Sequence, residues 1–143
     1  MTISRLIVHC SATSAAADID AETIRKWHVE GNGWSDIGYN YVIKRDGTLE
    51  NGRDRDGDGD VEDEVGAHAR GFNRGSIGVC LVGGVDETGK AEANFTFKQY
   101  ATLYSLCLNM HEKYPGIIIC GHRDLPNISK DCPSFNVKAF LGD

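Results

Sequence analysis

Two stretches of this chain carry residue types that do chemistry together. Gly121-His122-Arg123-Asp124 through Lys130-Asp131-Cys132-Pro133 holds an imidazole, an amine and a thiol close together, and His9 ends an apolar run near the other end. Two imidazoles and one thiolate form a three-ligand zinc set, because both donors suit a borderline-soft cation. Zinc with one open position activates water, so the chemistry indicated is metal-assisted hydrolysis. Taken singly, each strand-end histidine is equally readable as a structural residue, and the residue types alone leave the triple open.

The elements that must bring these residues together are readable. Ile3 to His9 is apolar and β-branched, as a buried strand is, and Ile117-Ile118-Ile119-Cys120 is a second short buried strand. If the two are sheet neighbours, His9 and His122 project from one edge, and Cys132 lies on a loop long enough to fold back. Between them the pattern predicts a helix capped by Asp20, with Ile24, Trp27 and His28 at helical spacing and Gly31 and Gly33 at its end. A strand over Tyr39 to Lys44 leads into an Asp46-Gly47 hairpin turn, and Ser76 to Val82 forms a strand stopped by Gly83-Gly84. Phe97 to Tyr114 reads as a long amphipathic helix and Phe135 to Leu141 as a final one. No repeat or linker interrupts this order. The expectation is a single α/β domain over 1–143, with a central, mostly mixed β-sheet flanked by helices.

Composition narrows the class. With 143 residues the chain buries roughly 68–70% of its unfolded surface, enough for a core without disulfides. No apolar run approaches the roughly 20 residues of a membrane span, and Met1 to Arg5 does not open a signal peptide. Five cysteines without an export signal indicate reduced thiols, with Cys10, Cys80, Cys107 and Cys120 as small buried hydrophobes and Cys132 as the exception. The formal charge of −6 belongs to residues 54–64, which carry seven acids and one base, while the rest of the chain is balanced. No basic groove with interleaved aromatics is present, which argues against nucleic acid as a partner.

The motifs form a wider pattern. Ile7-Val8-His9-Cys10-Ser11-Ala12-Thr13, Trp34 to Tyr41, Gly66 to Asn73, Ser76 to Gly84, Gly121 to Asp124 and Lys130 to Phe135 follow one another in an order that resembles the N-acetylmuramoyl-L-alanine amidases of the phage lysozyme and peptidoglycan recognition protein family. The similarity covers nearly the whole chain, and only the acidic loop stands outside it. The resemblance implies the amidase and peptidoglycan recognition fold, with zinc held by His9, His122 and Cys132. It implies cleavage of the amide between N-acetylmuramic acid and L-alanine by zinc-activated water. Lys130 would face the developing oxyanion, and Tyr39 would orient or deprotonate the water. His68 matches a histidine that lines the substrate cleft without binding metal, so it is expected to contact muropeptide or support the ligands. His28 and His111 receive no function. The alternative is a non-catalytic muropeptide-binding module of the same fold. Such modules typically lack the cysteine ligand, which this chain keeps.

The resemblance also implies a context. Bacterial peptidoglycan is the partner, with neither nucleic acid nor membrane. A monomeric, endolysin-like enzyme would collect in the host cytoplasm, reach the periplasmic face of the wall by a holin-like route, and act there. A bacterial or prophage origin is equally compatible.

The acidic loop supports a separate reading. From Asp54 it runs Asp-x-Asp-x-Asp-Gly-Asp, with Asp54, Asp56, Asp58 and Asp60 at alternating positions and Glu62 two further on. That is the first half of a calcium loop, although position 12 is Val65, with Glu64 one place early. The other reading is a solvated insertion, mobile through repulsion among its own acids.

Overall fold

The computed structural model describes residues 2–142. Strand β1 (Arg5–Cys10) buries every residue after the first, and β4 (Ser76–Leu81) buries all six. Continuous apolar runs of this kind suit interior parallel strands covered on both faces. β1 lies parallel to both β4 and β5 (Ile118–Gly121). β2 (Tyr41–Ile43) is parallel to β4, and β3 (Leu49–Asn51) closes the edge antiparallel to β2. The result is a mixed five-stranded sheet in the order β3-β2-β4-β1-β5.

The hairpin joining β2 to β3 turns on Gly47, whose φ of +89° lies in the left-handed region that glycine reaches without strain. Lys44 N–H donates to the Thr48 carbonyl across it.

Strand alternation sorts side chains onto two unlike faces. Leu6, Val8, Ile77, Val79 and Leu81 pack with Leu103, Leu106, Cys107 and Met110 of helix α2 (Phe97–Lys113) in the main core. α2 begins at Thr96, whose Oγ1 accepts from Gln99 N–H while Gln99 Oε1 accepts from Thr96 N–H. This reciprocal cap satisfies two donors that a helix start otherwise leaves open. On the other face, Ala21 and Ile24 of helix α1 (Ala21–Lys26) pack with Ile37, Val42, Cys80 and Val82. Ile7, Ala69, Cys120 and Leu125 form a smaller cluster beside them. α1 and loops cover this face less fully than the long α2 covers the other, which leaves room for a cleft.

The sequence expectations need adjustment at three places. Asp20 caps α1 as expected, accepting from Thr23 N–H at 2.9 Å, but the helix widens into a π-helical turn over Trp27–Gly31. β2 starts only at Tyr41; just before it the Asn40 side chain, fully buried, accepts the Gly78 N–H and donates to the Val61 and Glu64 carbonyls. The last helix, α3, spans only Val137–Leu141, capped by the Asn136 side chain. Among the described residues no helix is long and apolar enough to cross a membrane.

Candidate active site

β1 and β5 are sheet neighbours, the condition under which the sequence reading brings His9 and His122 to one edge. His9 is the fifth residue of β1, and His122 opens a 3-10 turn (His122–Asp124) directly after β5. Their ring centroids lie 4.6 Å apart. Two bonds bring in the loop that carries Cys132. Arg123 N–H donates to the Cys132 carbonyl at 2.8 Å, and Cys10 N–H donates to Cys132 Sγ at 3.2 Å. Gly121 leaves space for this loop, since a Cβ there would sit 2.8 Å from Pro133 Cδ.

One ligand atom from each of His9, His122 and Cys132 lies within 4.8 Å of the others. Cys132 Sγ is 3.9 Å from His9 Nδ1. His9 is 1% exposed, and its pKa falls well below the usual histidine value through burial, with His68, His122 and Lys130 adding. His122 is lowered too, by burial and then Lys130. Neutral imidazoles and a cysteine sulfur that gives up its proton on binding are the donor set that zinc takes, so the residues fit this metal.

The three residues sit in a cleft of about 290 Å³, lined also by His28, Trp34, Tyr39, Ala67, His68 and Lys130. It continues into a hollow of about 520 Å³ bounded by Trp34, His68, Arg70, Asn73, Ile128 and Lys130. The Tyr39 ring lies 5.1 Å from that of His9. Burial raises the Tyr39 phenol well above its ordinary value, and Cys80, Cys132 and Cys10 add to this. Such a phenol keeps its proton at neutral pH and offers a donor. Lys130 is exposed at the cleft rim.

His68 lies inside the cleft, against the ligands. Its Nδ1 is 2.8 Å from His9 Nε2, and burial, then His122 and Arg53, lowers its pKa to about 3. His28 is a residue that sequence reasoning missed. The π-helical turn carries it beside Trp34 and Tyr39, with ring centroids 4.7 and 5.6 Å away, and Gly38 N–H donates to its Nδ1. Packing beside Trp27 was the expectation; the wider turn redirects the ring into the cleft. His111 is exposed on α2, as expected.

The acidic loop is only partly as expected. Asp54, Asp56 and Asp58 bring carboxylate oxygens within 4.8 Å of one another, and so do Asp56, Asp63 and Glu64. Asp60 joins neither group; its Oδ1 accepts from Glu62 N–H. Glu62 leaves the loop's acids altogether. Its carboxylate accepts from Tyr41 and Tyr114 hydroxyls and from Lys113 Nζ at 2.8 Å. The loop is also anchored rather than a free insertion, since Val61, Glu62 and Glu64 are buried.

The fold is a mixed sheet with helices on both faces, and its cleft gathers two histidines and a cysteine; comparison with known proteins then gives the class. The pattern of the N-acetylmuramoyl-L-alanine amidase family matches residues 1–135, and the chain belongs to this family of peptidoglycan hydrolases. Among individual relatives, the endolysin of Escherichia phage T7 is 47% identical over 94% of this chain and 83% of its own length. The endolysin of Klebsiella phage KP32 is 47% identical over 96% of this chain and 84% of its own. The solved N-acetylmuramoyl-L-alanine amidase LysC from Clostridium intestinale superposes with a TM-score of 0.78 at 27% identity, covering 99% of this chain and 87% of that one.

Proposed function

We propose that this amidase is zinc-dependent, with His9, His122 and Cys132 as the metal ligands and the amide between N-acetylmuramic acid and L-alanine as the bond cut. The carrying observation is the convergence of these three side chains, within 4.8 Å, on a cleft that also holds Tyr39 and Lys130. Zinc, when bound, supplies Lewis-acid activation of water near neutral pH. The chain's own residues do the rest. Lys130 sets a positive charge where the carbonyl oxygen gains negative charge. The Tyr39 hydroxyl donates a hydrogen bond that orients the attacking water. Trp34, His28 and His68 wall the cleft and restrict bulk water around the reacting amide.

The test is mass spectrometry of products from purified Gram-negative peptidoglycan, before and after zinc removal. Stem peptides beginning with L-alanine, lost on chelation and restored by zinc, are expected. Intact glycopeptides throughout, from a folded protein that binds the wall, would assign a muropeptide-binding module instead.

The wider reading has residues 1–143 acting as one amidase domain and a monomer, held in the host cytoplasm until a holin-like route gives access to the wall. Residues 54–64 form its insertion, and calcium is proposed as the insertion's ligand. The supporting observation is the approach of Asp54, Asp56 and Asp58, with Asp54 Oδ1 buried and without a hydrogen-bond partner among the described residues. Glu62 is in neither carboxylate group, whereas Asp63 and Glu64 join Asp56 in the second.

A further inference from the structure

The two ring nitrogens of His9 face different partners. Nδ1 looks toward Cys132 Sγ, 3.9 Å away, and Nε2 meets His68 Nδ1 at 2.8 Å. A neutral imidazole that gives its Nδ1 lone pair to a metal carries its proton on Nε2. That proton points at His68 Nδ1, which must then be the acceptor. The proton of His68 is left on Nε2, a buried atom without a hydrogen-bond partner among the described residues.

The surroundings hold His68 in this pose. Asn73 Oδ1 accepts from the backbone N–H of both His68 and Ala69, at 2.9 and 2.8 Å. The ring lies edge-on to His9, with an interplanar angle of 88°. It occupies a slot cut by two glycines. A Cβ on Gly78 would come within 2.5 Å of His68 Cγ and 2.6 Å of its Nδ1, and one on Gly66 within 2.6 Å of its Cδ2. Gly78 pairs with Ile7 and Cys80 with His9 in the β1–β4 register, so Gly78 lies on the His9 face of the sheet. No side chain but glycine at position 78 lets the ring approach His9 this closely.

We propose that His68 is a positioning residue for His9: through Nδ1 it takes the His9 Nε2 proton, fixing the tautomer and ring orientation that leave His9 Nδ1 free for the metal. The proposal rests on the zinc assignment above. It gives His68 a role toward the metal site, where the sequence reading had left it between substrate contact and ligand support. Partners of this kind typically govern metal affinity by 10–100-fold.

The experiment is a zinc competition titration against a chromophoric chelator, on wild-type protein, Cys132→Ala, His68→Ala, His68→Asn and Gly78→Ala. Wild type and Cys132→Ala test the underlying assignment first. Equal zinc binding by both would overturn that assignment and, with it, this proposal. With tight wild-type binding lost in Cys132→Ala, His68→Ala is expected to bind zinc about 10–100-fold more weakly. His68→Asn, whose Oδ1 can take the place of Nδ1, is expected to recover most of that loss, and Gly78→Ala to weaken zinc with the imidazole still present. Nitrogen-15 spectra of the zinc-loaded wild type are expected to show His9 protonated at Nε2. Zinc affinity in His68→Ala within twofold of wild type, with a raised KM alone, would make His68 a substrate contact and overturn the proposal. So would failure of Asn to rescue. If His68→Ala does not fold, the Asn and Gly78→Ala arms and the His9 tautomer decide.

Discussion

Asn40→Ala tests whether the loop between β3 and β4 is held by a single side chain. Asn40 is fully buried and makes three hydrogen bonds, to Val61 O at 2.8 Å, Glu64 O at 2.9 Å and Gly78 N at 2.8 Å. All three partners are backbone groups, and none can be removed along with the side chain. Each lost bond costs about 1 kcal/mol net, and more where water cannot reach the group left behind. Val61 O keeps a long contact from Glu64 N–H at 3.4 Å, which limits its share. The sum is a destabilisation of about 3 kcal/mol, or a melting point lower by about 10 °C for a domain of this size. Urea denaturation and thermal unfolding monitored by circular dichroism measure it. Asn40→Asp is the control. It keeps an acceptor for Gly78 but turns a carboxylate toward two carbonyls, so it should lose at least as much stability at neutral pH. A loss below about 1 kcal/mol in Asn40→Ala would refute the reasoning, because the three backbone groups would then be finding other partners.

Other perturbations read the site and its surroundings. Cys132→Ala should abolish both stoichiometric zinc and hydrolysis, and elemental analysis showing zinc retained at one per chain would reject the ligand set. Lys130→Ala should retain zinc and lose about 100-fold or more in kcat, the scale of an oxyanion donor; Tyr39→Phe should also retain zinc and slow hydrolysis, and unchanged rates would remove either residue from the mechanism. Burial raises Glu62, but hydrogen bonds from Lys113, Tyr114 and Tyr41 outweigh it and hold the carboxyl below its ordinary 4.5. The stability it adds is therefore present above that value and fades as pH falls through the lower, folded one, so wild type should exceed Glu62→Gln in urea midpoint at pH 7 and converge with it in acid; a constant difference would contradict this. Calorimetry should give calcium heat that disappears in Asp54→Asn, and no heat at millimolar calcium would dismiss the loop as a cation site.

What was legible in the sequence follows from which signals are local. β1 and β4 announce themselves because interior parallel strands are apolar on both faces, and α2 because Leu103, Leu106, Cys107 and Met110 recur at helical spacing. His9, His122 and Cys132 were readable as a set through the resemblance, and the β1–β5 pairing brings the first two together. The π-helical turn at Trp27–Gly31 had no local signature, so His28 was left out of the cleft. The bond between His68 and His9 spans 59 residues and depends on Gly66 and Gly78 to admit the ring. Glu62 fell into an alternating run of acids and read as one of them. Its real partners, Lys113 and Tyr114, lie on and just beyond a helix 51 and 52 residues away. Periodicity cannot see such pairings, because they are decided only when distant segments pack.

β1 is an interior strand of the sheet, yet it precedes both of its neighbours by long stretches of chain. Ser4 meets Gly75 across a separation of 71 residues, and Cys10 meets Cys132 across 122. During synthesis at ~5–20 residues per second, β1 waits on the order of 4–20 s for its two neighbours, both edges bare until β4 emerges and one edge bare until β5 does. Leu6-Ile7-Val8 is then an open template for a chaperone or for another nascent chain. His9 waits with it. Strand order thus sets a clock on the enzyme: its hydrolytic centre stays open until Cys132 emerges, 123 residues after His9.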